Sequence, residues 1–359
     1  MSYRSSARSH PESETIYATR HDPERPPVPA SPSPNDTVEV VTLGGTIAMT
    51  RGAEAGGATP SLTGTDLIGA VPELRTVSQI TVEDFRQLPG ASLTPGDIVA
   101  LVEHISKAEA EGVRGIVVTQ GTDSLEESAY LADLYYRGDI PVVFTGAMRH
   151  ASLPGADGPA NILAAVQTAA SAETRGLGVL VVLGDEIHAA RHVRKTHTTS
   201  ITAFTSPNAG PIGHVVEGAP RIHNRVQRRP SLPLPSKQHP RIEVVTVALG
   251  SDGVLLDALK DTVQGLVIAA FGVGHVPASW CDRLEALATT MPVVLASRIG
   301  TGSVLTSTYG FAGSESDLLS RGLIAAGTLD PFKARLLLSA CLAADSSRTE
   351  IEAAFAARR

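Results

Sequence analysis

Cysteine is scarce in this sequence, and so are aromatic residues and basic charge. The 359 residues include two cysteines, Cys281 and Cys341, and only 4% aromatic residues. A disulfide framework needs more than two cysteines, so the composition favours a reducing compartment, which we take to be the cytoplasm. The formal net charge of −7 argues against a general nucleic-acid binder, whose footprint is usually basic.

Long apolar runs are missing as well. No run reaches the roughly 18–20 apolar residues that a membrane span requires, so we expect no contact with the membrane interior. Residues 1–36 lack the apolar core of a secretory signal. They contain seven prolines together with many serines and charges, which is typical of a disordered segment. We therefore predict a disordered tail over residues 1–36.

What the sequence does contain is a regular alternation of apolar strands and helices. The predicted strands of its first half are residues 38–43, 114–119, 141–146 and 178–183, and the predicted helices are residues 92–112, 123–136 and 157–171. Thr94, Pro95 and Asp97 form a helix-start signal for the first of these helices. Continuous apolar strands alternating with helices predict an α/β fold with a mostly parallel sheet covered on both faces.

A change in composition divides the chain into two predicted domains. Residues 217–240 are rich in proline and basic side chains, which indicates a linker. We predict a larger N-terminal domain over residues 37–216 and a smaller α/β domain over residues 241–359. The predicted strands of the smaller domain are residues 242–249, 265–271 and 292–297.

Two of the predicted strands end in glycine followed by a hydroxyl side chain. Gly44 and Gly45 precede Thr46, and Gly121 precedes Thr122 and Asp123. Ligands bind at the carboxyl ends of parallel strands, although each of these polar residues could equally cap a loop or a helix. A threonine alcohol is a weak nucleophile that needs a base or an electrostatic partner, and a lysine of lowered pKa is suitable.

Several stretches of the chain resemble the bacterial-type asparaginase/glutaminase family. The matching segments are LGGTIA (43–48), GTDSLEESAYLADL (121–134), PVVFTGAMR (141–149), ADGPANILAAV (156–166), RKTHTTSITAFTSPNAGPIG (194–213), GVGHVP (272–277) and AAGTLDPFKARLLL (325–338). They extend over roughly residues 38–357 in the order of the family. The resemblance implies an amidohydrolase, specifically an L-asparaginase with possible glutaminase side activity, that needs no cofactor.

The resemblance also implies roles for four residues. Thr46 matches the nucleophilic threonine, which forms a covalent acyl-enzyme, and Thr122 matches the second catalytic threonine. Lys195 and Asp123 match the residues that complete a relay with Thr122. Asp123 also matches the carboxylate that holds the α-amino group of the substrate. The family implies a homotetramer, in which each active site lies between two chains.

At the substrate-binding positions the sequence departs from the family. Gly90 and Ala91 stand where the family often has a Ser-Gln pair, and backbone N–H groups or Ser92 could replace those side chains. His275 stands where the family often has asparagine, in a region that reaches a neighbouring subunit's active site. It could be a structural residue or a ligand of the substrate.

Two further departures concern the surroundings of the catalytic residues. Residues 49–62 follow the first threonine without the tyrosine of many family members, and their glycine and alanine content predicts a mobile loop. Gln120 precedes the GTD motif, where some members have histidine.

Other functions remain open from the sequence. A glutaminase subunit of a tRNA-dependent amidotransferase shares this domain, but carries an extra folded N-terminal domain. A catalytically silent amino-acid-binding relative is another alternative, against which the joint presence of Thr46, Thr122, Asp123 and Lys195 argues. The sequence contains no Walker A motif and no HExxH or paired-cysteine motif, so we expect neither a nucleotide nor a metal.

Overall fold

The structure is a computed structural model that describes residues 37–45, 47, 49–51, 58–60 and 63–358. Three of the predictions therefore fall wholly or partly outside the described residues. They are the disordered tail over residues 1–36, the nucleophile Thr46 and much of the mobile loop over residues 49–62.

The described strands and helices follow one another along the chain in an α/β order. The strands are β1 Thr37–Thr42, β2 Met49–Arg51, β3 Ala58–Pro60, β4 Gln79–Glu83, β5 Gly115–Thr119, β6 Val142–Thr145, β7 Val179–Leu183, β8 Glu186–Ala189, β9 Arg194–Lys195, β10 Phe204–Thr205, β11 Gly213–Val216, β12 Ala219–Ile222, β13 Ile242–Thr246, β14 Gly265–Ala270, β15 Val293–Ser297 and β16 Ile324–Ala325. The helices are α1 Gly64–Gly69, α2 Leu74–Val77, α3 Pro95–Ala110, α4 Leu125–Tyr135, α5 Gly158–Ala169, α6 Val254–Leu259, α7 Cys281–Thr290, α8 Glu315–Ser320, α9 Pro331–Ala343 and α10 Arg348–Ala356.

The larger sheet contains eight of the described strands in the order β12-β11-β8-β7-β6-β5-β1-β4. The pairs from β4 through β1, β5 and β6 to β7 are parallel, and β8, β11 and β12 extend the sheet antiparallel. In β5, Ile116 and Val118 face one apolar core while Val117 faces a second core on the other side. Burial on both faces explains why these strands are continuously apolar. The predicted mostly parallel sheet is confirmed.

Helix α3 begins where its sequence signal lies. The Thr94 hydroxyl accepts a hydrogen bond from the Asp97 amide, and the Asp97 carboxylate accepts one from the Thr94 amide. This reciprocal capping satisfies two of the amides that a helix start leaves without an intrahelical partner. Ile98, Leu101 and Ile105 then turn inward against the large sheet.

A smaller parallel sheet follows, in the order β13-β14-β15-β16. Helix α9 lies between the two sheets, since it contacts α4 on one side and β13, β14 and β15 on the other. Residues of both sheets, such as Phe144 and Val294, belong to one apolar core. We call the large sheet with α1–α5 the N-terminal lobe and the small sheet with α6–α10 the C-terminal lobe.

The predicted linker contains a strand. Ala219–Ile222 forms β12, which pairs with β11 at the edge of the large sheet. Pro220 fits there because an edge strand need not donate every backbone hydrogen bond. The domain boundaries themselves stay predictions. None of the helices in the described part of the chain is long and apolar enough to cross a lipid bilayer.

Candidate active site

Glycines bring the loops at the carboxyl edge of the large sheet into close contact. Gly44 and Gly45 have φ angles of 95° and 97°, a region that favours glycine. A Cβ atom on Gly45 would lie 2.1 Å from the backbone nitrogen of Gly121. A Cβ atom on Gly44 would lie 2.7 Å from the carbonyl oxygen of Leu88, so the two glycines let this loop pack backbone against backbone on the segments after β4 and β5. Thr46, the next residue, lies outside the described residues.

Two more glycines complete this contact. A Cβ atom on Gly90 would lie 2.9 Å from the carbonyl oxygen of Gly121, and one on Gly146 would lie 2.6 Å from that of Gln120. The loops that follow β1, β4, β5 and β6 thus converge on the residues around Gly121. This edge of the sheet is where ligands bind in open parallel sheets.

The structure brings together three of the predicted catalytic residues. The ammonium nitrogen Nζ of Lys195 lies 3.0 Å from Oγ1 of Thr122 and 3.0 Å from Oδ1 of Asp123. Thr122 is buried, and the side chains of Lys195 and Asp123 are 17% and 72% exposed. An alcohol and a carboxylate that share one ammonium group, at the mouth of a crevice, form a path along which a proton can move.

Lys195 owes its position to contacts from three directions. Strand β9 pairs with β10, so that Lys195 lies opposite Phe204. The carboxylate of Glu126, in the first turn of α4, accepts a 2.6 Å hydrogen bond from the Lys195 amide. The buried ammonium of Lys333 donates to the carbonyl oxygens of Ala190 and Val193, on the segment that leads into β9.

Gln120 has a structural role that the sequence did not reveal. Its side chain is fully buried, and its Nε2 donates to the hydroxyl of Ser124 over 3.1 Å. That hydroxyl donates in turn to the carbonyl oxygen of Gly90 over 2.6 Å. Gln120 and Ser124 therefore tie the Gly90 turn to the β5 loop. The sequence offered one signal for this role, which is that the polar Gln120 stands directly between the buried strand β5 and the GTD motif.

The predicted substrate-binding residues near Gly90 form a short 3₁₀ turn, Gly90–Ser92. Gly90 is buried against the β5 loop, whereas Ala91 and Ser92 are exposed. Because a Cβ at Gly90 would press on the backbone of Gly121, the position is too tight for a serine side chain unless the backbone shifts. Their roles in substrate binding remain predictions.

His275 lies in the C-terminal lobe. Its Nε2 is 3.1 Å from the buried carboxylate of Glu315, and its ring makes edge contacts with Tyr309 and Phe311. Desolvation alone would raise the pKa of Glu315. Hydrogen bonds from the backbone of Tyr309 and Thr308, together with those from the Glu315 amide and His275, outweigh it and lower that pKa below its usual value. These contacts hold the His275 ring in place, which is the arrangement expected of a structural residue. A role of His275 in substrate binding stays a prediction.

The arrangement suits the cleavage of an amide. Such a reaction needs an activated alcohol, a proton path to the departing amine and donors for an oxyanion. The hydrogen-bonded set of Thr122, Lys195 and Asp123 is suited to such a proton path, and the amides of the tight turns around Gly121 are suitable donors. Within the described ranges, no group of three or more His, Cys, Asp or Glu side chains is arranged to hold a metal ion.

Comparison with protein-family models gives two matches that together cover most of the described chain. Residues 37–228 match the model "Asparaginase, N-terminal", and residues 241–355 match the "Glutaminase/Asparaginase C-terminal domain".

Individual relatives agree with these matches. The chain is 37% identical over 320 residues to a probable L-asparaginase of Deinococcus radiodurans, covering 88% of this chain and 96% of the relative. It is 34% identical over 322 residues to a probable periplasmic L-asparaginase of Haemophilus influenzae, covering 87% and 90%. Among solved structures, the probable cytoplasmic L-asparaginase of Campylobacter jejuni matches with a TM-score of 0.80 and 32% identity, covering 89% of this chain and 99% of the other.

Proposed function

The chain belongs to the asparaginase family of amidohydrolases, and we propose that it hydrolyses L-asparagine to L-aspartate and ammonia. The observation that carries the proposal is the pair of 3.0 Å contacts from Lys195 Nζ to Thr122 and Asp123. These residues lie 73 and 72 positions from Lys195 in the sequence, so local structure alone does not account for their meeting.

The proposed chemistry has two steps. The Thr46 hydroxyl attacks the side-chain amide carbon of asparagine, and its proton passes to the leaving nitrogen, which departs as ammonia. The resulting aspartyl ester on Thr46 is then hydrolysed by water, which restores the alcohol and releases aspartate. Splitting the reaction in this way lowers the barrier of each step.

Thr122, Lys195 and Asp123 act as the proton relay in both steps. Lys195 polarises the Thr122 hydroxyl, and the Asp123 carboxylate balances the ammonium charge. Only Oδ1 of Asp123 contacts Lys195 among the described residues, which leaves Oδ2 for the α-ammonium group of the substrate. Amides in the turn around Thr122 supply the oxyanion donors.

Glutamine is proposed as a slower second substrate. It differs from asparagine by one methylene, which a pocket discriminates by only about 1–3 kcal/mol. The C-terminal family model carries both activities in its description. Gly90 and Ala91 lack the side chains that would hold the substrate head group, so we expect a high KM for both free amino acids.

The test is ammonia release from asparagine and from glutamine by the purified protein alone. Thr46→Ala should abolish release, whereas the matched control Thr289→Ala, on an exposed face of α7, should leave it unchanged. A protein that is folded but releases no ammonia from either amide would favour a partner-dependent amidotransferase subunit or a silent binding relative. Undiminished release by Thr46→Ala would remove Thr46 as the nucleophile.

We further propose a cytoplasmic homotetramer whose active sites lie between subunits, with His275 reaching the site of a neighbour. The substrate is the only ligand we assign to these sites, and neither nucleic acid nor membrane is proposed as a partner. Sedimentation analysis tests the assembly, and a stable, fully active monomer would contradict it. Cell fractionation tests the location.

A further inference from the structure

A cavity lies at the junction of the two lobes. It encloses about 1020 Å³ of space, counting its open mouth. Helix α4, the segment before β9 and residues 226–229 contribute one wall, and residues 297–302 and 327–330 contribute the other. Thr122, Asp123 and Lys195 are absent from its lining, so this cavity is separate from the candidate active site.

The cavity is strongly basic in a chain that is acidic as a whole. Five arginines line it: Arg191, Arg194, Arg228, Arg229 and Arg358. Two aspartates, Asp133 and Asp330, face them. His192 adds no charge near neutral pH, because desolvation and the neighbouring Arg191 lower its pKa to about 4. A surplus of guanidinium groups in a partly enclosed space attracts an anion.

These arginines are held in place but not fully used. Arg191 donates to the ring of His192 and to the carbonyl oxygen of Gln227, and Arg228 donates to the carbonyl oxygens of Gly138 and Tyr136. A guanidinium carries five N–H donors, so donors remain on both. Fixed arginines with spare donors are pre-organised for carboxylate or phosphoryl oxygens.

Two polar atoms at this cavity have no hydrogen-bond partner among the residues that the structure describes. The hydroxyl of Tyr130 is buried in a side chain only 1% exposed, and the buried Nε of Arg194 has the carboxylate of Asp330 at 4.0 Å, beyond hydrogen-bonding distance. Both residues line the cavity. Buried polar groups are nearly always paired, so an orphaned pair at one cavity indicates a missing partner. Desolvation raises the pKa of Tyr130, which keeps its hydroxyl protonated as a donor.

We propose that the junction cavity binds a small organic anion that carries two or more carboxylate or phosphoryl groups. The guanidinium groups pair with its charges, and the Tyr130 hydroxyl and Arg194 Nε donate to its oxygens. The proposal does not depend on the amidohydrolase activity.

The experiment is thermal unfolding of the purified chain in the presence of citrate or pyrophosphate, with ionic strength held constant by sodium chloride. A ligand that binds only the folded state raises the melting temperature as its concentration passes Kd. We expect a saturable rise with at least one of the two anions. A rise in melting temperature with citrate alone would indicate a carboxylate ligand, and a rise with pyrophosphate alone would indicate a phosphoryl ligand.

Variants connect the rise to the cavity. Arg229→Gln and Tyr130→Phe should each weaken binding at least fivefold. The unliganded melting temperature of Tyr130→Phe should be unchanged or raised, because the structure gives the hydroxyl no hydrogen-bond partner within the described ranges. Arg225→Gln is the matched control, since Arg225 donates to Glu173 and Arg175 outside the cavity, and should bind like the parent chain.

Three results would overturn the proposal. They are no saturable rise with either anion, a rise that Arg229→Gln and Tyr130→Phe leave unchanged, and a rise that Thr122→Ala abolishes. The last result would place the anion in the candidate active site. Loss of ammonia release in Thr122→Ala with intact anion binding would leave both proposals standing.

Discussion

Two lysines occupy opposite environments. One of them, Lys195, ends the segment of residues 190–195, and the other, Lys333, contacts that segment. Lys195 lies at the open edge of the large sheet, 17% exposed, and contacts a hydroxyl and a carboxylate. Lys333 lies at the lobe junction, 1% exposed, and donates to the backbone carbonyls of Ala190 and Val193. Partners that can take up or release a proton allow chemistry, whereas carbonyl partners only fix the chain.

The junction also shows how burial acts on charge. Desolvation lowers the pKa of Lys333, while the nearby carboxylates of Asp330 and Glu126 oppose that change. Desolvation raises the pKa of Glu126, and Lys333 opposes it in turn. Lys333 and Glu126 therefore support one another's charged forms in a place that disfavours both.

The largest expected effect comes from removing the lysine at the open edge. Lys195→Met should lower kcat for asparagine by about 10³-fold, because general acid–base groups typically contribute 10²–10⁴-fold. Its melting temperature should change little. Steady-state ammonia release measures the effect, with Lys107→Met, an exposed lysine on α3, as the matched control. Activity within threefold of the parent chain would contradict the relay.

The reverse pattern is expected at the junction. Lys333→Met should lower the free energy of unfolding by about 3 kcal/mol, because two buried carbonyls lose hydrogen bonds to a charged donor. Its kcat in the folded state should fall less than tenfold. Urea unfolding measures the loss, and Lys237→Met, which breaks an exposed pair with Asp345, should cost less than about 1 kcal/mol. Equal losses of unfolding free energy in Lys333→Met and Lys237→Met would show that burial does not make Lys333 more important for stability than an exposed lysine.

Acid should weaken the junction side of the molecule. The pKa of His188 and that of His192 are each lowered to about 4, mainly by desolvation and further by nearby cations that include Lys333. Between pH 6.5 and 4 the unfolded chain binds a proton that the folded chain does not. The free energy of unfolding therefore falls as the pH falls through this window, by up to roughly 3 kcal/mol per histidine.

Urea unfolding between pH 7.5 and 4.5 measures this slope. His192→Gln should flatten it, because one of the linked protonations is removed. The matched variant His150→Gln, in the loop after β6, should leave the slope of the parent chain. A slope that is the same in all three proteins would show that burial of His192 does not drive the acid sensitivity.

The smallest change in stability is expected at Glu126, which contacts Lys195 at the open edge and acts on Lys333 at the junction. Glu126→Gln keeps an oxygen that accepts from the Lys195 amide, so it should cost less than about 1 kcal/mol of stability. Glu126→Ala removes the acceptor and should cost about 2 kcal/mol and lower kcat as well, since β9 loses a contact. Urea unfolding and ammonia release distinguish the two variants. Identical behaviour would mean that the hydrogen bond does not position Lys195.

Much of the fold was predictable because its signals are local. The apolar runs around Val117 and Val181 are strands buried on both faces, and Thr94 with Asp97 starts α3 as its spacing predicted. The antiparallel extension by β8, β11 and β12 was missed. Short, partly exposed strands lack a continuous apolar run, and Pro220 disguised the last of them as a linker.

The site was predictable only in part. Glycine followed by threonine marked the strand ends, but the choice of Lys195 came from a family resemblance, because no spacing relates it to Thr122. The role of Gln120 and the arginine-lined cavity were not predicted at all. Both depend on which loops meet, and composition does not encode that.

The sequence alone determined where the apolar parallel strands and the main helices form, where the glycines permit left-handed backbone and which hydroxyls follow them. These features depend on propensity, periodicity and capping within a few residues. Only the tertiary structure decided that Lys195 meets Thr122, that Lys333 holds the segment before β9 and that five arginines face one cavity. Those contacts join residues far apart along the chain. Packing within the N-terminal lobe brings Lys195 to Thr122, and packing of the two lobes brings Lys333 to Ala190 and forms the cavity.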